Sequence, residues 1–505
     1  MPATDILLCT LNARYSHAAM GLRYLLANLG ELQPRAAIRE FTIHDPPARI
    51  VEKLLAESPR IIAFGIYIWN LIETRRVVGI LRQVAPDIRI VIGGPEVTHE
   101  HANEPLAAAC DVLITGEADL TFKAVCDDLL AGRPVAKVVD SPKPDLAKVV
   151  LPYHLYTDDD LAHRIIYVEA SRGCPFTCEF CLSSIEDGVR SFPLDQFLQA
   201  MDDLLARGCK TFKFVDRTFN LSPRTSAAIL EFFIDRWRDG LFLHFELVPD
   251  RLPDALKALI AKFPADAVQF EIGIQSFSPV VGELISRRMD RGRTEANFKW
   301  LRSASGVHIH ADLIIGLPGE TPATFAESYD ALHHLDPQEI QVGILKLLKG
   351  TPLVRHREPF AMRFNPEPPY DLLASRDFDF TTMQRFKRFA RYHEVFVNSG
   401  KFRGGIARLI ATKTSAFAAL LAFADWMWAT TTQEHALSQV RQYELLHAYL
   451  LTIDVPADEA TAILAQDFLV TGSKKYLPEI LRPAVEKRPS STVPSAPGTA
   501  GHWPA

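Results

Sequence analysis

Ser171-Arg172-Gly173-Cys174-Pro175-Phe176-Thr177-Cys178-Glu179-Phe180-Cys181 decides the reading of this chain. Three cysteines, spaced by three residues and then by two, can wrap one iron–sulfur cluster with three thiolates. A saturated electron carrier takes four, and Cys209, the nearest further cysteine, sits at the end of a predicted helix with no motif around it. One iron is thereby left open to a ligand. The other readings are a zinc site or unpaired core cysteines. Zinc draws paired CxxC motifs or added histidines, and none lies nearby in sequence.

The run follows the first of six strand-like segments, Ile165–Ala170, Thr211–Asp216, Phe242–Val248, Ala267–Gln275, His308–Ile315 and Glu339–Leu347, with a helical pattern in each gap. Six β/α units predict a partial barrel, and such barrels carry their chemistry on the loops after the strands. Upstream, Asp5–Leu11, Ala36–Ile43, Ile61–Trp69, Arg89–Val97 and Val112–Glu117 alternate with amphipathic segments, which predicts a flavodoxin-like, doubly wound parallel sheet. Downstream of Pro359 the pattern turns helical. The expected organisation of this α/β chain is a sheet domain over 1–135, a connection over 136–164, a barrel over 165–360, a small helical domain over 361–484 and a disordered tail over 485–505.

Composition excludes several classes. The 505 residues are 48% hydrophobic and 23% charged, with a net charge of -6 and no long run of either sign, so neither nucleic acid nor an anionic membrane is an expected partner. The most apolar stretches, Arg60–Trp69 and Thr414–Trp428, are too short or too interrupted to span a bilayer, and no cleavable leader pattern opens the chain. A cytoplasmic location is expected. Seven cysteines, three of them within eight residues, read as a metal site in a reducing compartment rather than a disulfide framework.

The CxxxCxxC pattern on the loop after a first barrel strand resembles the radical S-adenosylmethionine (SAM) superfamily, over about 165–350. The resemblance implies a [4Fe-4S] cluster on Cys174, Cys178 and Cys181 whose open iron chelates SAM. An electron from the cluster then cleaves SAM to a 5'-deoxyadenosyl radical. It also implies an external electron donor such as flavodoxin or ferredoxin. Phe180 matches the aromatic position near the adenine. Asp216 stands where the family often has Gly-Gly-Glu, and by position would receive the methionine amino group; it also reads as an Asp opening a turn. Glu271, Gly273 and Gln275 share one side of their strand by its two-residue period, a polar stripe suited to a ribose or carboxylate partner or to a structural network. Gly316 and Glu320 resemble the fifth-strand GxxE motif, whose glycine lets the backbone approach adenosine and whose Glu braces the turn; Glu320 also reads as an early-helix acid. Gly350-Thr351-Pro352-Leu353 matches the turn that meets the adenine.

Ligands of an open parallel sheet lie beyond the carboxyl ends of its strands, here Asn12–Gly21, Tyr67–Asn70, Gly93–Thr98 and Gly116–Ala118. A glycine-lined sheet directly ahead of such a barrel resembles the cobalamin-binding domain of the cobalamin-dependent branch, which implies cobalamin contacts from Tyr15, Ser16, His17, Tyr67, Trp69, Gly93, Gly94, Glu96, Gly116 and Glu117. The histidine-ligating signature Asp-x-His-x-x-Gly is not matched by Tyr15-Ser16-His17-Ala18-Ala19-Met20-Gly21. Cobalamin held without a histidine on cobalt is therefore expected, and the glycines also read as tight turns. The C-terminal part, with Phe364–Tyr370 and Asn398–Phe402, resembles an uncharacterised helical extension of some of these enzymes. Methyl transfer to an unactivated carbon of an unknown small-molecule or lipid substrate is the leading expectation. Cyclisation, rearrangement or sulfur chemistry with the same cofactors is the second, and a non-catalytic cluster or cobalamin sensor the third.

Overall fold

The structure is a computed structural model that describes residues 4–185, 188–471 and 477–486. The tail expected over 485–505 lies outside the described residues beyond 486.

Strands β1 (Ile6–Asn12), β2 (Ala36–Thr42), β3 (Ile61–Gly65), β4 (Arg89–Gly93), β5 (Val112–Gly116) and β6 (Val138–Ser141) form a parallel sheet in the order β2-β1-β3-β4-β5-β6. All seven residues of β1 are buried, because helices cover both faces of a parallel sheet and its central strands read as continuous apolar runs. The order reverses between β1 and β3, the switch point at which such sheets open a crevice. The sixth strand lies inside the stretch expected to be a connection. Its sequence Val-Val-Asp-Ser has one buried residue, too short an edge strand for a legible alternation. The same stretch carries a helix, Asp158–His163, closed by a capping box on Thr157 and Asp160.

The second sheet is parallel in the order β14-β13-β12-β11-β10-β7. Its strands are β7 (Ile166–Val168), then, after the ribbon β8 (Ser171–Cys174) and β9 (Gly188–Ser191), β10 (Thr211–Phe214), β11 (Phe242–Leu247), β12 (Val268–Gln275), β13 (His308–Ile315) and β14 (Glu339–Ile344). This is the expected six-stranded partial barrel. The two ribbon strands pair antiparallel and carry the cysteine run between them. On β12 and β13 alternate residues are buried, Ile272, Ile274, Ala311 and Leu313 among them, while Glu271, Gly273, Gln275, His310 and Asp312 face the lumen. In register across the sheet stand Glu246, Glu271, His310 and Glu339. His244 Nε2 hydrogen-bonds Glu271 at 3.0 Å, and His310 pairs with Asp312 at 3.3 Å and Glu339 at 3.2 Å. Opposite charges adjacent in the lumen let a polar interior stay paired.

The helices Phe380–His393, Arg403–Ile410, Ala416–Thr431, Gln439–Thr452 and Ala457–Thr471 follow. They share one core with the barrel: Phe325 and Tyr329 of the helix before β14 meet Phe389 and Phe417 edge-on or tilted. Asn398 hydrogen-bonds both the N–H and the carbonyl of Ile340, which covers the outer edge of β14. No described helix is long and apolar enough to cross a membrane.

Candidate active site

Cys174, Cys178 and Cys181 line one cavity of about 160 Å³ at the carboxyl ends of the barrel strands, together with Phe180, Arg217, Glu246, Glu271, Gln275, Arg287 and Asp312. The ribbon turns the cysteines into this mouth, with Gly173 in the left-handed region at φ 91°. Among the described residues no three His, Cys, Asp or Glu side chains converge as on a single ion. Thiolates that each take a different iron of a cluster need not converge. Of the other cysteines, Cys209 is fully buried and its thiol is pushed up to about 12 by burial, which makes it an inert core residue.

Three of the expected SAM contacts, Phe180, Glu271 and Gln275, stand in this cavity. Burial opposes ionisation of Glu271, but the hydrogen bond from His244 and the charge of Lys213 hold its carboxyl below the usual range. A Cβ on Gly273 would stand 2.6 Å from the Gln275 amide nitrogen and would push that side chain aside. Gln275 Oε1 and Arg287 Nε are buried without a protein partner. An open acceptor and an open donor beside three thiols fit a ligand that carries hydroxyl, ammonium and carboxylate groups.

Asp216, Gly316 and Glu320 fall elsewhere. Asp216 is buried, with one oxygen accepting from Ser171 Oγ at 2.6 Å and the other from the Ala170 N–H at 3.0 Å. Burial lifts its carboxyl to about 6, and its work is to pin the start of the cysteine ribbon to β10. The neighbouring Arg217 and Thr218 of that turn line the cavity instead. Gly316, at φ 88°, is covered by the side chain of Leu372 from the C-terminal region. Glu320 accepts from the Gly316 N–H at 2.8 Å and so braces the turn.

Burial raises the Glu320 carboxyl from its ordinary 4.5 to about 8. Between those values the folded chain holds a proton that the unfolded chain has released, so this group makes stability fall as pH rises through the window. Glu320→Gln is expected to keep the fold and flatten that slope, as read from denaturant unfolding at a series of pH values. An unchanged slope would show that Glu320 is ionised in the folded protein.

Two residues that sequence reasoning passed over complete the mouth. Glu179, between two of the cysteines, is buried; it accepts from Ser286 Oγ at 2.6 Å and His356 Nε2 at 2.8 Å, and pairs with Arg355. It therefore ties the cysteine loop to the loops after β12 and β14. Arg287 donates to Cys178 Sγ at 3.4 Å and to the Gly273 carbonyl, and so fastens the cysteine loop to β12. Its place in the run Ser286-Arg287-Arg288 gave no signal of this.

A second cavity, of about 620 Å³, opens at the switch point of the first sheet and is closed on its far side by the barrel. Tyr67 and Trp69 stack on its wall at 4.5 Å with ring planes 5° apart, and Trp69 is 45% exposed. An exposed aromatic platform in a large cavity with a mainly apolar lining fits a planar macrocycle. Gly93, Gly94 and Gly116 line it too, but their bare Cα atoms serve the protein. A side chain on Gly94 would collide with the Ile66 carbonyl, and one on Gly116 would come within 2.8 Å of the Ser141 carbonyl. Glu96 and Glu117 stand at the wall with their carboxylates engaged, Glu96 by Lys349 and Tyr370, Glu117 by Arg172 and Arg190.

Tyr15, Ser16 and His17 do not reach this cavity. The Ser16 carbonyl accepts from the Ile165 N–H at 2.8 Å, His17 Nδ1 lies 2.6 Å from the Tyr167 hydroxyl, and Tyr15 donates to Asp159 under the Arg164 guanidinium. A buried network of Arg23, Glu40, Asp160 and Arg164 holds this loop against the barrel. The first loop is thus a seam between the two sheets.

Arg172, inside the cysteine run, joins the barrel to the first sheet electrostatically. Its guanidinium bonds Glu169 at 2.8 Å within the barrel, and Glu117 at 2.9 Å and Asp119 at 2.8 Å and 3.0 Å on the first sheet, with Tyr24 beneath it. The cavities also touch: Ser183 and Arg217 line both.

Three family models match the chain. Residues 168–332 match the radical SAM superfamily, the cysteine run included, and residues 6–126 match the B12 binding domain. The chain carries a radical SAM domain and a B12-binding domain. A protein family of unknown function, DUF4080, matches 358–495. The chain is 24% identical over 365 residues to an uncharacterized methyltransferase of Pyrococcus horikoshii, covering 66% of the chain and 77% of the relative. It is 23% identical to the 2-(S-pantetheinyl)-carbapenam-3-carboxylate methyltransferase of Streptantibioticus cattleyicolor, covering 64% of the chain and 53% of the relative. It is 24% identical to the cobalamin-dependent radical SAM methyltransferase TokK of Streptomyces tokunonensis, covering 57% and 47%. The chain thus spans about half the length of the last two relatives. Its fold is that of TsrM from Kitasatospora setae, solved with cobalamin and a [4Fe-4S] cluster (TM-score 0.60, 16% identity, 95% of this chain and 99% of that one). It is also that of OxsB, solved with aqua-cobalamin and SAM (TM-score 0.61, 12% identity, 95% and 83%).

Proposed function

We propose that this protein is a cobalamin-dependent radical SAM methyltransferase acting on an unactivated carbon of a small molecule. The observation that carries the reading is the shared wall of the two cavities at Ser183 and Arg217. Hydrogen removal and methyl delivery must act on one carbon, and a substrate at this window is within reach of both. When bound, the cluster and SAM supply the hydrogen-abstracting radical and cobalamin carries the methyl group.

The chain's own residues prepare that chemistry. Cys174, Cys178 and Cys181 would hold the cluster, the Arg287 guanidinium stands against Cys178 Sγ, and Phe180, Glu271 and Gln275 would receive SAM. Tyr67 and Trp69 give the corrin a stacking surface, and Gly93, Gly94 and Gly116 form the turns around it. Met20, Leu22, Val91 and Ile92 supply apolar wall that limits water in the larger cavity. An external electron donor such as flavodoxin or ferredoxin, and a reducing compartment such as the cytoplasm, suit an oxygen-sensitive cluster and seven cysteines without a disulfide.

The reading is tested by anaerobic reconstitution with iron, sulfide and hydroxocobalamin, then incubation with SAM and a strong reductant. Formation of both 5'-deoxyadenosine and S-adenosylhomocysteine supports it; an intact cluster with no deoxyadenosine overturns it. His17→Ala is expected to bind hydroxocobalamin within about twofold of wild type, since His17 faces Tyr167 and not the cavity. Loss of binding would return His17 to the cofactor.

A further inference from the structure

We propose that the C-terminal region is the latch that holds the B12-binding sheet closed against the barrel, with Tyr370 as its fastening residue and Glu367 as its outer tie. The Tyr370 hydroxyl donates to Glu96 Oε1 at 2.5 Å, across 274 residues of sequence. Lys349, from the loop after β14, reaches the same oxygen at 2.9 Å and Glu104 at 3.3 Å, and lies over the Tyr370 ring. Arg75 grips Glu104 at 2.8 Å and 2.9 Å and turns its free nitrogen to Glu367 at 3.6 Å. The path therefore starts and ends on the segment 367–370 and runs through the sheet domain and the barrel between.

Position and burial make this more than a surface contact. Side chains of Glu96, Glu104 and Lys349 are 5%, 4% and 14% exposed, so each charge depends on its partners rather than on water. Glu96 and Lys349 are also wall residues of the larger cavity. Next to Lys349, Gly350 donates to Glu100 at 3.0 Å and has no room for a Cβ against the His99 ring. Tyr370 itself sits at φ 56°, a region a bulky residue keeps only where its surroundings dictate it. Its carbonyl accepts from the Leu347 N–H at 3.0 Å, which anchors the segment to the barrel edge.

The cobalamin readout rests on the function proposed above. Full-length, cluster-loaded protein is titrated with hydroxocobalamin by absorbance, and amide hydrogen exchange is followed over 95–104. Tyr370→Phe is expected to raise the dissociation constant about tenfold and speed that exchange, with iron content unchanged. Wild-type affinity in the variant overturns the latch, whether or not exchange changes. If wild type itself binds no hydroxocobalamin, the cobalamin reading fails instead, and unchanged exchange then sinks the latch separately. Should Tyr370→Phe lose its iron, Glu367→Gln replaces it, with about a threefold effect expected and none counting against the proposal.

Discussion

Cys174→Ala, Cys178→Ala and Cys181→Ala are each expected to abolish the iron–sulfur absorbance of reconstituted protein and to reduce 5'-deoxyadenosine to background. Three thiolates around an open iron leave none to spare, and the three line one cavity that no other cysteine enters among the described residues. Cys209→Ala is the control. Its sulfur lies in the core beside the Thr211 carbonyl at 3.6 Å, with its thiol pushed up to about 12. Iron content and absorbance spectra of the four variants decide the matter. Loss of iron in the Cys209 variant would mean a fourth ligand, and the site would then have no room for SAM on iron.

Arg172→Met carries the other large effect. Arg172 is 13% exposed at its side chain and pairs with Glu117, Asp119 and Glu169, themselves 17%, 7% and 8% exposed. Removing one partner of a buried pair strands the other, at a cost of about 3–5 kcal/mol. Glu117 retains Arg190, so the loss concentrates on Asp119 and Glu169. Burial already lifts Glu169 to about 7 with the guanidinium present. The expected result is an unfolding free energy, read from denaturant titration, lowered by that amount, with about half recovered when Asp119→Asn and Glu169→Gln are added. Arg172→Lys should also fall short, because one ammonium cannot address two sheets with a planar fork. A midpoint equal to wild type would make the network a surface decoration.

The features legible in sequence are those set by short-range periodicity. The cysteine spacing, the polar stripe Glu271-Gly273-Gln275 and the order of six β/α units all follow from neighbours a few residues apart. Asp216 was read by position as a ligand contact, yet its carboxylate turns away to Ser171 and Ala170, whose place is fixed by the ribbon 45 residues upstream. His17 is drawn to Tyr167, 150 residues on. Gly94 and Gly116 read in sequence as places where a ligand approaches the backbone or as tight turns, and the atoms that exclude a side chain there belong to Ile66 and Ser141. Glu179 carries no signal in sequence, since its partners Ser286, Arg355 and His356 come from loops more than 100 residues away.

Glu179 gives the cysteine loop a reach beyond its own turn. It stands between Cys178 and Cys181 and binds Ser286 on one side of the barrel mouth and Arg355 and His356 on the other. A displacement of that loop is therefore shared with the loops after β12 and β14, so the three segments keep or lose their arrangement together.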